Sequence, residues 1–193
     1  MPNRPRALAV SATLVILIWA RPAWPDQDPT LSVIIANDAE APGRTVENAL
    51  MIAGGVFRRA GVVVVWRGAT QNVSTEVLTI RVAAKASDVP FRAAEDSMGA
   101  ARNLDGARAT VAYVFFDRVR EFADRGHIDV WVVLGCVIAH ELGHLVLPLN
   151  AHAAEGIMLA QWDPGVLARA GGLLSFAPNQ APLLRRRVAS REP

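Results

Sequence analysis

Apolar and polar positions change their period several times along this chain, and each change marks an element. Leu31 to Ala36 is a short apolar run with strand character, expected as the first strand of the folded part. After a loop at Asn37 to Gly43, Ala49, Leu50, Ile52, Ala53, Val56 and Phe57 recur at helical spacing. They predict an amphipathic helix that Thr45 caps, with Asn48 three residues further on, and that ends at Gly61. The Gly54-Gly55 pair inside it implies close packing on a sheet. Val62 to Trp66 is a continuous β-branched run, the pattern of a buried strand, turned by Arg67-Gly68. Val77 to Val82 alternates apolar and polar residues as a half-exposed strand does. This βαβ order favours a parallel pair with the helix over one face.

Lys85 to Asp96 is polar and broken by proline, and reads as a surface loop. Ser97 to Ala101 is a short segment, and Asp105-Gly106 turns the chain into the apolar strand Thr110 to Phe116. Tyr113, the only tyrosine, falls inside that strand and reads as core. Asp117 to Phe122 begins a helix or a turn, and Asp124 to Asp129 is a polar interruption whose His127 reads as a surface residue. From Val130 to Leu147 the chain is apolar almost all round, which predicts a helix buried on every side. Gly135 and Gly143 each cost such a helix roughly 1 kcal/mol relative to Ala and imply close backbone approach. Further on, Asp163 caps a helix with Pro164 at its first position, running to Ala170 before Gly171-Gly172. A last helix starts near Pro178 and carries Leu183, Leu184 and Val188 toward the core, with a frayed tail from Ala189.

The 193 residues suffice for one domain with a real core. Arg4 and Arg6 followed by the apolar run Ala7 to Ala20 and the break Arg21-Pro22-Ala23-Trp24-Pro25 read differently from the rest. The run is shorter than the roughly 20 residues that cross a bilayer, so residues 1–24 read as a secretory signal peptide and 25–193 as a single folded domain. Ile18 fits the small-residue rule for cleavage after Ala20 poorly, and an uncleaved membrane anchor is the alternative. Either way the domain lies outside the cytoplasm. Without Arg4 and Arg6 the 20 basic residues become 18, against 18 acidic ones, which leaves no electrostatic case for nucleic acid. Arg185-Arg186-Arg187 reads as a solvated helix face. The single cysteine, Cys136, allows no intrachain disulfide and reads as a small buried packing residue, since a fourth protein ligand would close a catalytic site to water.

The candidate chemistry is concentrated in one stretch. His140 and His144 stand four apart on the buried helix, so their imidazoles share one face and can hold a metal ion, while Glu141 lies about 100° round, within reach of a metal-activated water. A third ligand must come from elsewhere. Leu147-Pro148 reverses the chain, Asn150 tolerates the left-handed conformation, and His152 is the nearest candidate, with Glu155 and Asn150 as alternatives. Nitrogen ligands on a buried helix favour zinc, which with three protein ligands keeps a position for water and lowers its pKa to about 7. Glu141 is then placed to act as the base.

The run from His140 to Met158 resembles the metzincin clan of zinc peptidases, whose signature is HExxHxxGxxH followed by a methionine turn. His140, Glu141 and His144 match position by position, and Met158 in Gly156-Ile157-Met158 matches the turn methionine. Leu147 stands where the clan has glycine, Asn150 where it has the third histidine, and His152 follows two residues later. The spacing is similar to that of small bacterial proteins with HELGHLLL, a short loop, a histidine and GIM. The resemblance implies an α+β metzincin-like zincin domain. Its parts are a mixed twisted sheet in a βα-rich N-terminal lobe, the central HExxH helix, the Met-turn and a short helical C-terminal lobe.

It also implies a secreted or periplasmic zinc endopeptidase acting on peptide or protein substrates, with Zn²⁺ held by His140, His144 and His152 and water activated by Glu141. Met98-Gly99-Ala100-Ala101 resembles the edge strand above the clan's cleft, on which an extended peptide can add. The tyrosine that some members carry two residues after the methionine is Ala160 here, and no cysteine-switch propeptide is visible. Competing readings are a zinc hydrolase of a non-peptide amide or ester and a non-catalytic, metal-stabilised binding module. A zinc endoribonuclease pattern lacks the glutamate beside the first histidine and belongs to the cytoplasm. A membrane-embedded HExxH protease needs more apolar spans.

Overall fold

The computed structural model describes residues 28–69, 77–102, 110–149 and 151–191, so the expected signal segment and the Asp105-Gly106 turn lie outside the described residues. Strand β1 (Thr30–Asn37) leads through a loop into helix α1 (Gly43–Arg59) and then strand β2 (Val63–Gly68). The loop is closed by Asn37, whose Nδ2 donates to the Ala41 carbonyl at 2.9 Å while its Oδ1 accepts from the Ala41 N–H at 3.0 Å. Pro42 therefore holds the N-cap position of α1, without a side-chain bond, and Thr45 sits inside the first turn instead of capping it. Of the expected apolar face, Ala49, Ala53, Val56 and Phe57 are buried and Leu50 and Ile52 half-buried, Val46 is buried as well, and Gly61 takes a positive φ of 72° beyond the C-cap.

Strands β3 (Leu78–Ala83), β4 (Gly99–Arg102) and β5 (Val111–Phe115) complete a five-stranded mixed sheet in the order β2-β1-β3-β5-β4. All neighbours are parallel except β4, which runs antiparallel to β5 along an outer edge. The β-branched run of β2 lies at the opposite edge and is only half-buried, because β-branching favours the extended backbone without deciding how many neighbours a strand has. The alternating β3 is central instead. Its Leu78, Ile80 and Val82 are buried, while exposed Arg81 pairs with Asp38 at 2.8 Å. The loop before β4 contains a single 3-10 turn at Ala86–Asp88, and its Val89 and Phe91 cover the second face of the sheet together with Ala83, Phe115 and Tyr113.

Helix α2 (Phe116–Gly126) follows β5 directly and absorbs the first half of the expected polar interruption, ending at His127 in the left-handed conformation. Helix α3 (Val130–Val146) runs through the centre, in contact with α1, α2, β3, β4 and β5, and is buried on nearly all sides. Close approach occurs on α3 and not at Gly54-Gly55. A Cβ on Gly135 would stand 2.6 Å from the Ala49 carbonyl oxygen, whereas one on Gly54 meets nothing nearer than Trp66 at 3.7 Å. Helix α4 (Pro164–Ala170) starts as expected, with the Asp163 side chain accepting from the Val166 N–H at 3.0 Å and Gly171 closing it at φ 54°. Helix α5 (Gln180–Ala189) buries Leu184 and Val188 and leaves Arg185 and Arg186 exposed. No helix among the described residues is long and apolar enough to cross a membrane.

Candidate metal centre

Helix α3 carries His140 and His144 on one face, and it ends where the chemistry requires a turn. Leu147, preceding Pro148, adopts extended geometry at φ −76° and ψ 166°, as the proline ring demands of its predecessor. The chain reverses and returns through His152. Asn150 lies outside the described residues. The returning segment is tied down at Ala151, whose carbonyl accepts from Gln180 Nε2 of α5 at 2.7 Å.

The result is a convergence of three Nε2 atoms. His144 Nε2 lies 3.0 Å from His140 Nε2 and 3.2 Å from His152 Nε2. Metal–nitrogen bonds of about 2.0–2.1 Å in a tetrahedral set separate neighbouring nitrogens by roughly 3.3 Å, so the spacing is that of ligands around one ion. Among the described residues these three side chains form the only cluster of His, Cys, Asp or Glu close enough to hold a metal. The donor set fits a divalent cation with nitrogen preference. His152 thus joins the pair, while Glu155 is exposed and faces a separate apolar pocket of about 220 Å³ beside Trp162 and Leu167.

Tautomer and charge are arranged for coordination. His140 Nδ1 lies 2.8 Å from the Ile157 carbonyl oxygen, to which it donates its proton, leaving Nε2 bare. Burial lowers the His140 pKa to about 4 against the opposing Ile157 bond, with the His152 charge adding to the fall. His144 also falls to about 4, by burial first and then by the neighbouring His140 and His152. Both are neutral at pH 7, the form a metal requires. The ring of Trp162 stands edge-on to His140 at 5.5 Å and 89°.

Met158 is fully buried below the histidines. Ala153 N–H donates to its carbonyl at 2.9 Å, Ile157 N–H donates to Ser175 at 2.8 Å, and a Cβ on Gly143 would lie 2.6 Å from the Met158 sulfur. Gly156 has φ 77°, and a Cβ there would overlap the Ser175 carbonyl, so a glycine is needed to make this turn. Gly143 and Met158 are complementary across the floor of the site.

Glu141 lines the same cleft as the three histidines without being a member of the nitrogen cluster. It is only 5% exposed, and burial pushes its carboxyl up to about 8, opposed by the nearby backbone N–H of Ala101. Ala101 belongs to β4, which forms the roof of a cleft of about 670 Å³ containing the three histidines, Glu141, Met98, Phe122 and Trp162. Arg118 Nη1 holds the approach to β4 by donating to the Ala94 and Ser97 carbonyls, both at 2.6 Å. His127 is exposed and outside the cluster. Cys136 is buried with its thiol pushed up to about 12 by desolvation, against the lowering charge of Arg59, and also takes no part. Tyr113 packs edge-on to Phe91 at 5.4 Å, away from the cleft.

The Ile157 carbonyl, the Ala101 N–H, Trp162 and Gln180 are partners that sequence reasoning did not find. Only the Met98 to Ala101 segment carried a signal for any of them. No protein-family model matches the chain, and a comparison with curated proteins finds no match.

Proposed function

We propose that this chain is an exported, metzincin-like zinc endopeptidase in which His140, His144 and His152 hold Zn²⁺ and Glu141 is the general base. The observation that carries the reading is the convergence of the three Nε2 atoms at 3.0 and 3.2 Å in an open cleft, with a buried carboxyl beside them. Bound zinc supplies Lewis acidity and a water of lowered pKa. Glu141 takes the proton from the water that attacks the substrate carbonyl and delivers it to the leaving nitrogen. A nearby cation favours the carboxylate form that burial alone disfavours, so the base becomes competent when the site is loaded.

Peptide is favoured over a small amide or ester by the roof of the cleft, since β4 is an edge strand with backbone groups facing it. The basic start and apolar run at the N-terminus support export. The test is peptide-library cleavage by the zinc-loaded full chain, read by mass spectrometry, beside Glu141→Gln. Cleavage that disappears in Glu141→Gln while zinc is retained supports the endopeptidase. Zinc binding without any peptide cleavage by wild type overturns it in favour of a non-peptide hydrolase or a binding module.

A further inference from the structure

The register of β4 against β5 decides which backbone groups of the roof are free. Phe115 N–H donates to the Met98 carbonyl at 2.8 Å, and the strands pair Ala100 with Tyr113 and Ala101 with Ala112. In an antiparallel pair the N–H and C=O of one residue point the same way, and successive residues alternate. Met98 and Ala100 therefore face β5, and the backbone groups of Gly99 and Ala101 face the open edge. The Ala101 N–H, unpaired by β5, lies close enough to the Glu141 carboxyl to oppose the rise that burial gives its pKa. Gly99 makes this approach possible, since a Cβ there would stand 2.6 Å from Glu141 Oε1 and 2.7 Å from its Cγ.

From this we infer that Gly99 and Ala101 are positioning residues for Glu141. The edge strand that roofs the cleft also holds the base, through one outward N–H and one missing side chain. An extended substrate then pairs with the Gly99 N–H and C=O and the Ala101 C=O, while the Ala101 N–H stays with the carboxylate. The sheet edge is thereby partly closed to unrelated strands, a common need at exposed edges. The catalytic consequence rests on the peptidase reading, whereas the contact itself does not.

Amide hydrogen exchange of the zinc-loaded full chain, followed residue by residue by NMR, separates the two. The Ala101 amide of wild type is expected to be protected despite facing the open edge. Glu141→Ala should accelerate its exchange by about ten- to a hundredfold, the loss of a bond to a charged acceptor, while the Ala100 amide, directed at β5, is unchanged. Equal Ala101 exchange in wild type and Glu141→Ala overturns the inference whether or not the protein cleaves peptides. Ala101→Pro deletes the same N–H without removing a ladder bond, and Gly99→Ala displaces the carboxylate. With a cleavable peptide, each should lower kcat by roughly two orders of magnitude, leave KM and zinc content near wild type, and add little to Glu141→Gln. Unchanged kcat in both variants, with peptide cleavage established for wild type, contradicts the positioning role.

Discussion

His140 Nδ1 donates to the carbonyl of Ile157 across 2.8 Å, and this bond joins helix α3 to the turn that carries Met158. It selects the tautomer with a bare Nε2, so a packing contact between two segments also prepares a ligand atom. In metal-free protein at pH 7, the ¹⁵N spectrum of His140 is expected to show a protonated Nδ1 and an unprotonated Nε2. The opposite tautomer contradicts the arrangement.

The titration shifts run in opposite directions and give metal-free protein a stability optimum. His140 and His144 fall from 6.5 to about 4, so the unfolded chain binds protons first and stability is lost as pH drops below about 6.5 and through about 4. Glu141 rises from 4.5 to about 8, so the stability it contributes below 4.5 is lost as pH rises through about 8. Two imidazoles outweigh one carboxyl on the acid side, and the carboxyl acts alone on the alkaline side. The Tm of metal-free protein should peak at about pH 6.5, and Glu141→Gln should flatten the alkaline decline. A Tm that rises steadily from pH 6.5 to 8 contradicts this.

Identical substitutions in two neighbouring helices should have opposite signs. In α1, Gly54→Ala meets only Trp66 at 3.7 Å and gains helix propensity, stabilising by roughly 0.5–1 kcal/mol. In α3, Gly135→Ala drives a methyl into the Ala49 carbonyl at 2.6 Å and Ile52, which should cost about 1–3 kcal/mol. Chemical denaturation of the two variants checks both signs.

Gln180 anchors the return of the chain to the three-histidine cluster through Ala151, and its Oε1 accepts from the Ala177 N–H at 3.3 Å. Gln180→Ala leaves both backbone groups without that partner and should destabilise by about 1–3 kcal/mol. By loosening the residue before His152 it should weaken zinc binding on the order of tenfold. Competition against a chelator measures the second effect, and an unchanged affinity removes Gln180 from the account.

Cys136 should behave as a packing residue. With no exposure and a thiol pushed up to about 12, it is expected to resist iodoacetamide at pH 8 in the folded protein and to react once denaturant is added. Rapid alkylation of the native state contradicts the burial.

Local features were the legible ones. His140 and His144 could be paired because helical periodicity puts residues four apart on one face, and Leu147-Pro148 announced the reversal that brings His152 back. The Asp163-Pro164 start of α4 is local chemistry too, and it formed as read. Long-range neighbours decided the rest. Thr45 looked like a cap, but the Asn37 side chain shapes the preceding loop and the helix begins at Gly43. Val62 to Trp66 read as a buried strand, yet strand order depends on pairings far along the chain, and β1, β3 and β5 took the interior. The close approach read at Gly135 and Gly143 is present, whereas the Gly54-Gly55 pair meets nothing nearer than 3.5 Å, because which glycine faces a neighbour depends on packing distant in sequence. Ala101 could be seen as strand, while the approach of its N–H to Glu141 depends on the register with β5.

X-ray absorption at the zinc edge, on zinc-loaded full chain and on His152→Ala, tests the central claim most directly. The arrangement of the three Nε2 atoms predicts a wild-type shell of three imidazole nitrogens and one further light atom at about 2.0–2.1 Å, reduced to two imidazoles with weaker binding in His152→Ala. Wild type that takes up no zinc, or a His152→Ala shell that still shows three imidazoles, would contradict it.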